Sequence, residues 1–247
     1  MRLLVHGYTG RMGQIICQMA KDGFAQVELS ACVSPDCPRD GVDHCYSSLN
    51  SVNELCDCVV DFSHHSATPA LLEYCLAHKL PIVIATTGHT AFEQSLIRSA
   101  AENIPIFYSA NMSLGVAVLA QLAEKAAQMF PDADIEIVEK HHNQKLDVPS
   151  GTALLLAKRI QEQRQDSVLL IGRHENGKRS KKEIGIHSLR LGSEVGTHEI
   201  IITTGNETIT LKHEAENRAL FAEGALTAAA FLCGKDAGLY AMQDITA

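Results

Sequence analysis

The stretch VHGYTGRMGQ, Val5–Gln14, decides the architecture of this chain. It follows an apolar run, RLLVHG, and leads into MGQIICQMAKDG, whose apolar residues recur at helical spacing and stop at Gly23. Gly7, Gly10 and Gly13 therefore stand where a strand hands over to a helix. Glycines there allow a tight turn and close backbone approach to a pyrophosphate, which sits on the N–H groups of the helix start. The spacing is G-x-x-G-x-x-G, not the commoner G-x-G-x-x-G, and a plain strand-to-helix turn would also tolerate it. The strand before and the helix after give the dinucleotide reading its weight.

Outward from this turn, VELSACVS, CDCVVDFS, LPIVIATT and IPIFYSAN are short, β-branched and apolar at consecutive positions. Strands buried on both faces of a parallel sheet have this pattern. Helical stretches such as ATPALLEYCLAHK lie between them, so right-handed crossovers and a doubly wound sheet are expected. The pattern changes after Asn111. A long helix, GVAVLAQLAEKAAQMF, precedes the strand DIEIVEK, the helix GTALLLAKRIQEQ and a polar loop. EIGIHSLRL and HEIIITTGNETITLKHEA are expected to form antiparallel strands, with TGNE as a hairpin turn. The apolar helix in ENRALFAEGALTAAAFL needs a partner and is expected to return to the first unit, with a short tail after it. Two domains follow: residues 1–112 with 217–247, for the dinucleotide, and residues 113–216.

Composition sets the remaining bounds. Of 247 residues, 46% are hydrophobic and 20% charged, as in ordinary globular proteins. A net charge of −8 argues against a nucleic-acid or anionic-membrane binder, which needs surplus Lys and Arg. The basic run RHENGKRSKK, Arg173–Lys182, reads as a solvated loop. MRLLVHG is too short for a leader, and no run reaches the ~18 apolar residues of a membrane span. The eight cysteines lack paired Cys-x-x-Cys spacing, which favours buried, reduced thiols in a cytoplasmic protein over a zinc site.

At the end of the second strand, where an acidic residue would bond the adenine ribose, the chain has Ser34 and Pro35. Serine repels neither a hydroxyl nor a 2′-phosphate, and Arg11 is the nearest basic residue. NADPH and NADH both fit.

EIVEKHHNQKLDVPSGTALLL, Glu136–Leu156, concentrates the other chemistry. One reading is a surface loop with Ser150 capping the next helix. A second is a metal site of Glu139, His141, His142 and Asp147, although adjacent strand histidines point to opposite faces; no metal is expected. The third is a substrate site. Lys145 offers charge, the N–H groups of Gly151 and Thr152 offer an anion pocket, and one histidine acts as an acid near neutral pH. A small carboxylate that must receive a proton would suit such a site.

With these residues in view, the chain resembles a known family. GYTGRMG, VVDFSHHSAT, IATTGH, YSANMSLGV, EKHHNQKLDVPSGTA, EIGIHSLRLGSEVGTHEI and HEAENRALFAEGAL are similar, in order, to 4-hydroxy-tetrahydrodipicolinate reductase, the dihydrodipicolinate reductase of lysine synthesis. The resemblance implies an α/β fold: a Rossmann-type parallel sheet completed by the C-terminal helix, plus an α+β domain with a mixed, mostly open sheet that pairs in a homotetramer. By the same resemblance His141 is the proton donor and Lys145 the lysine beside it, while His142, Gly151 and Thr152 bind a small dicarboxylate. Cofactor positions fall at Gly7, Tyr8, Thr9, Gly10, Arg11 and Met12, at Ala85, Thr86 and Thr87, and at Ser109, Ala110, Asn111 and Met112, with Phe62 beside the nicotinamide. The implied reaction is NAD(P)H-dependent reduction at C4 followed by protonation from His141.

Two positions depart from the family pattern. Ser34-Pro35 stands where many members carry an acidic residue, often followed by arginine, and Leu191 replaces a common glycine. His64 and His65 are expected to be partly exposed loop residues. Two other functions compete: an amino-acid dehydrogenase on the same plan, which leaves the Pro-Ser-Gly-Thr pocket unexplained, and an NADP-sensing regulator, which would not need His141 and Lys145 together.

Overall fold

Strand β1 (Arg2–His6) carries Leu3, Leu4 and Val5 with no exposed surface, so both faces of the strand are covered. In the computed structural model, which describes every residue except Arg39 and Ala247, the chain continues through α1 (Arg11–Lys21), β2 (Glu28–Val33), β3 (Cys45–Tyr46), β4 (Cys58–Asp61), α2 (Thr68–His78), β5 (Ile82–Ile84), α3 (Ala91–Ala100) and β6 (Pro105–Tyr108). Next come α4 (Leu114–Met129), β7 (Asp134–His141), α5 (Gly151–Gln163), β8 (Val168–Ile171), β9 (Glu183–Arg190), β10 (Gly196–Thr203) and β11 (Thr208–Ala215). The chain closes with α6 (Ala219–Leu232), β12 (Gly238–Tyr240) and α7 (Met242–Thr246). Backbone contacts group residues 1–113 with those from Ala219 onward, and Leu114–Arg218 separately.

The first unit is a seven-stranded sheet in the order β12-β6-β5-β4-β1-β2-β3. Every neighbouring pair in it is parallel. Strand order reverses between β1 and β4, the switch point at which open α/β sheets bind ligands beyond their carboxyl ends. One apolar cluster, which includes Leu4, Val59, Leu71, Ile82, Ile97 and Ile106, fills one side. Helix α6 covers β4, β5 and β6 on the other side and packs against α1. Gly224 makes that seating possible, because a Cβ there would lie 1.7 Å from the carbonyl oxygen of Met112.

The second unit is a five-stranded sheet, β11-β10-β7-β9-β8. Here the structure corrects the sequence reading: β9 runs parallel to both β7 and β8, and the antiparallel pairs are those that β10 makes with β7 and β11. EIGIHSLRL alternates well enough for either direction; the preceding crossover through β8, hidden in what reads as a polar loop, sets it parallel. Ile135, Ile137, Ile184, Ile186, Ile200 and Ile202 pack with residues of α4 and α5, including Leu119 and Leu156. The β10–β11 hairpin turns through Thr204–Glu207 with Gly205 at φ +95°, as TGNE predicts. The C-terminal tail is also more than a tail, since β12 adds an edge strand beside β6.

All eight cysteines are free, with Cys32, Cys58 and Cys75 buried and Cys233 exposed. Among the described residues no helix is long and apolar enough to cross a membrane.

Candidate active site

In the first unit, the positions expected to hold a cofactor each follow the carboxyl end of a strand. Gly7 follows β1, Ser34 follows β2, Phe62 follows β4, Ala85 to Thr87 follow β5, and Ser109 to Met112 follow β6. Gly7 has φ +83°, and a Cβ on it would lie 2.7 Å from the Phe62 carbonyl oxygen. A Cβ on Gly13 would meet the Gly7 carbonyl at 2.3 Å and Tyr8 Cα at 2.5 Å, so the turn is packed against the helix as a dinucleotide turn must be. Gly10 caps α1 with extended backbone and no side-chain hydrogen bond, which leaves the helix start to an anion. The residues present thus fit a bound dinucleotide.

Other contacts shape this edge of the sheet. Thr9 and Ser34 share a hydrogen bond of 2.7 Å between hydroxyls, and Ser34 is buried. Beneath the turn, Asp61 is fully buried and bonds His6 Nδ1 at 2.7 Å and the Thr86 hydroxyl at 2.6 Å. The Ser109 hydroxyl donates to the Asn111 carbonyl at 2.6 Å, which curls the segment after β6. Arg11 and Thr87 are exposed. His64 is exposed and His65 partly so, as expected, but His65 Nδ1 also bonds Glu93 at 2.9 Å.

The second unit carries the His-His-Lys segment. Strand alternation places Glu139 and His141 on the face that α4 and α5 cover, continuing the row of Ile135 and Ile137. Glu139 is fully buried yet fully satisfied. It accepts from His141 Nδ1 at 2.5 Å, from the Ser150 N–H at 3.1 Å, and from both terminal nitrogens of Arg190 at 2.9 and 2.8 Å. Burial alone would push its carboxyl up, but the bonds from His141 and Arg190 outweigh that and hold it well below the usual carboxylate range. Arg190 reaches this face because β9 pairs with β7 in a register that sets Arg190 beside His141.

His141 Nε2 has no hydrogen-bond partner among the described residues, and it is not sealed from solvent. Gly196 makes room for it, since a Cβ there would stand 3.0 Å from that nitrogen. His198, on β10, packs edge-on against His141 with ring centroids 5.2 Å apart, and its Nε2 bonds the Ser150 hydroxyl at 3.1 Å. Burial first, and the neighbouring His141 second, bring the His198 imidazole down to about 3. It is neutral at physiological pH.

The loop after β7 presents Lys145, whose Nζ lies 2.9 Å from Asp147 Oδ1. Burial pushes the Asp147 carboxyl up, yet the Lys145 contact more than offsets this and it lies below its ordinary value. Arg190 holds the same loop through the Asp147 carbonyl at 2.8 Å. Ser150 caps α5 by accepting from the Ala153 N–H at 3.2 Å, and Gly151 opens the helix with no Cβ contact in reach. Leu191 is half-exposed, and its amide bonds the His141 carbonyl at 2.9 Å. Both oxygens of Glu139 are taken by protein donors, and no group of three His, Cys, Asp or Glu converges in metal-binding geometry among the described residues.

Sequence reasoning names His141, His142, Lys145, Gly151 and Thr152, and the structure sets them along one segment from the end of β7 to the start of α5. It overlooks Arg190 and His198 and weighs Glu139 only as a metal ligand. The i, i+2 spacing of Glu139 and His141 is a signal that both share one face of a strand. Arg190 and His198 arrive through strand register, which their own neighbourhoods do not encode.

Residues 1–112 match the family model for the dihydrodipicolinate reductase N-terminus, and residues 115–246 match that for its C-terminus. The chain is 44% identical over 247 residues to the 4-hydroxy-tetrahydrodipicolinate reductase of Caldanaerobacter subterraneus subsp. tengcongensis, covering 99% of this chain and 97% of that protein. It is 44% identical over 243 residues to the enzyme of that name from Clostridium tetani, covering 98% and 95%. Among solved structures, a dipicolinate-bound dihydrodipicolinate reductase from Paenisporosarcina sp. superimposes with a TM-score of 0.82 at 27% identity, over 99% of this chain and 98% of that one. With both halves matched along their full length, the chain belongs to the dihydrodipicolinate reductase family.

Proposed function

We propose that this protein reduces 4-hydroxy-tetrahydrodipicolinate to tetrahydrodipicolinate with NADH or NADPH, in the route to diaminopimelate and lysine. The observation that carries the reading is the His141 ring, anchored through Nδ1 to buried Glu139 while Nε2 stays open, with Lys145 four residues on in the loop that follows. The glycine turn, with Phe62 and the segments after β5 and β6, would hold the dinucleotide. When bound, the reduced nicotinamide supplies a hydride to C4 of the ring left after the C4 hydroxyl departs as water.

The chain's own residues do the rest. Lys145 exchanges Asp147 for a substrate carboxylate, and the start of α5 at Gly151 and Thr152 takes the other carboxylate with His142. As C4 is reduced, electron density gathers on the neighbouring carbon as an anionic enamine. His141 gives its Nε2 proton to that carbon, and the ring stays anchored through Nδ1. Burial of His198 in its neutral form keeps a second positive charge away from His141.

We also infer that four copies associate through the uncovered face of the five-stranded sheet, where Val138 and Ile201 lie on the side opposite Ile137 and Ile200. Light scattering on the purified protein tests the tetramer.

The direct test of activity generates the substrate from pyruvate and aspartate semialdehyde and follows NADPH and NADH oxidation separately. His141→Gln should lower turnover about 10²-fold, the scale of a lost general acid. Near-normal turnover in that variant would remove His141 as the donor.

A further inference from the structure

Glu139 has no exposed surface, and an unpaired carboxylate there would be strongly destabilising. Four donors converge on it: one from His141, one from the Ser150 amide and two from Arg190. A carboxylate offers about four lone-pair sites, so none is left over. Such a site is built to hold a charge in place beneath the imidazole. Two consequences follow for His141. Its Nδ1 is committed to a carboxylate, which makes Nε2 the nitrogen that gains and loses the proton. The strength with which the ring holds that proton then depends on how much of Glu139's charge Arg190 draws away.

We infer that Glu139 and Arg190 are a positioning pair for the reaction, Glu139 fixing which nitrogen of His141 carries the mobile proton and Arg190 limiting how tightly Glu139 retains that proton on the ring. The inference rests on the reading of His141 as the proton donor. A buried carboxylate alone beside an imidazole would favour the imidazolium strongly and make it a reluctant acid. The bidentate guanidinium divides that attraction, and through the Asp147 carbonyl it ties the loop bearing Lys145 to the same anchor. The other titratable or charged groups around His141 are His198 on β10, His213 next to it on β11, and Lys145 and Asp147 on the loop. None of these touches His141 Nδ1.

The pair makes opposite predictions for its two members. Turnover on a protonated His141 falls on the basic side of its pH profile. Glu139→Gln removes the negative partner and should move that limb down by about 1 pH unit; Arg190→Met leaves Glu139 undivided and should move it up by a similar amount. Arg190→Lys, which keeps the charge, should restore most of the shift. Loosened packing alone would lower turnover in both variants without moving the limbs in opposite directions.

Because a buried variant can fail to fold, the unmutated protein provides a second measurement. Imidazole ¹⁵N spectra, with the His141 signals identified by their loss in His141→Gln, should show Nδ1 protonated throughout and Nε2 titrating. Limbs that shift together or stay still, or a neutral His141 with its proton on Nε2, would overturn the inference while leaving His141 as donor. Near-normal turnover of His141→Gln would overturn both.

Discussion

Thr9 in the glycine turn and Ser34 at the end of β2 are joined hydroxyl to hydroxyl at 2.7 Å, across the place where dinucleotide folds seat the adenine ribose. The Ser34 side chain is buried and already bonded to the turn, and its single O–H is all it could donate to a phosphate. Its contribution toward a 2′-phosphate is therefore small. Both cofactors should work, with NADPH favoured less than about tenfold, or 1.4 kcal/mol. Ser34→Asp should turn the preference toward NADH by like-charge repulsion. Catalytic efficiencies with each cofactor, for wild type and variant, check this; an unchanged ratio would remove Ser34 from the ribose site.

Lys145→Ala should reduce kcat as well as raise KM for the dicarboxylate. A lysine that only bound the ground state would change KM alone, whereas one that meets charge developing on the ring acts in the transition state. Asp147→Asn removes the resting partner of Lys145 and should leave kcat within a few-fold of wild type. Steady-state kinetics of the two variants separate clamp from resting partner.

His198 gives stability a pH dependence of definite sign. Its folded-state value is about 3, against 6.5 for an unburied histidine. Between those values the unfolded chain binds a proton that the folded protein does not, so stability falls as pH drops through that window. From pH 7 to 5 the loss from this residue should be roughly 2 kcal/mol. His198→Gln, which can still reach the Ser150 hydroxyl, should flatten the fall. Urea midpoints at the two pH values, for wild type and variant, measure it.

Gly13→Ala and Gly10→Ala should differ sharply. Alanine gains about 1 kcal/mol over glycine inside a helix, as at Gly13, but Gly10 is the extended N-cap of α1, where that gain does not apply. At Gly13 the added methyl would lie 2.3 Å from the Gly7 carbonyl, against only one contact of 3.3 Å at Gly10. Overpacking of backbone against backbone costs about 1–3 kcal/mol or more, so the clash wins at Gly13. Thermal unfolding should show Gly13→Ala destabilised well beyond Gly10→Ala, and cofactor titration should show Gly13→Ala binding weakly.

The parallel sheet was legible because its strands are apolar at consecutive positions; Leu3 to Val5 and Cys58 to Val60 could be little else. The direction of β9 was not, because alternation is the same whichever way a strand runs and the crossover through β8 hides in a polar stretch. The proposed donor His141 and Lys145 stand in one contiguous string. Arg190 and His198 do not: each needs knowledge of which strand lies beside β7 and in what register. Local chemistry is written locally, and the carboxylate anchor is completed from elsewhere in the chain.

The first sheet draws its outer strand β12 and its covering helix α6 from the far side of the Leu114–Arg218 segment. On a translating ribosome, β1 to β6 emerge with one edge unpaired and the face over β4 to β6 bare. The pieces that close them follow on the order of ten seconds later, at ordinary elongation rates. The inserted segment, contiguous in sequence, can finish folding in that interval. Its early completion would keep the stretches on either side of Leu114–Arg218 in one neighbourhood, so that α6 and β12 have a short search.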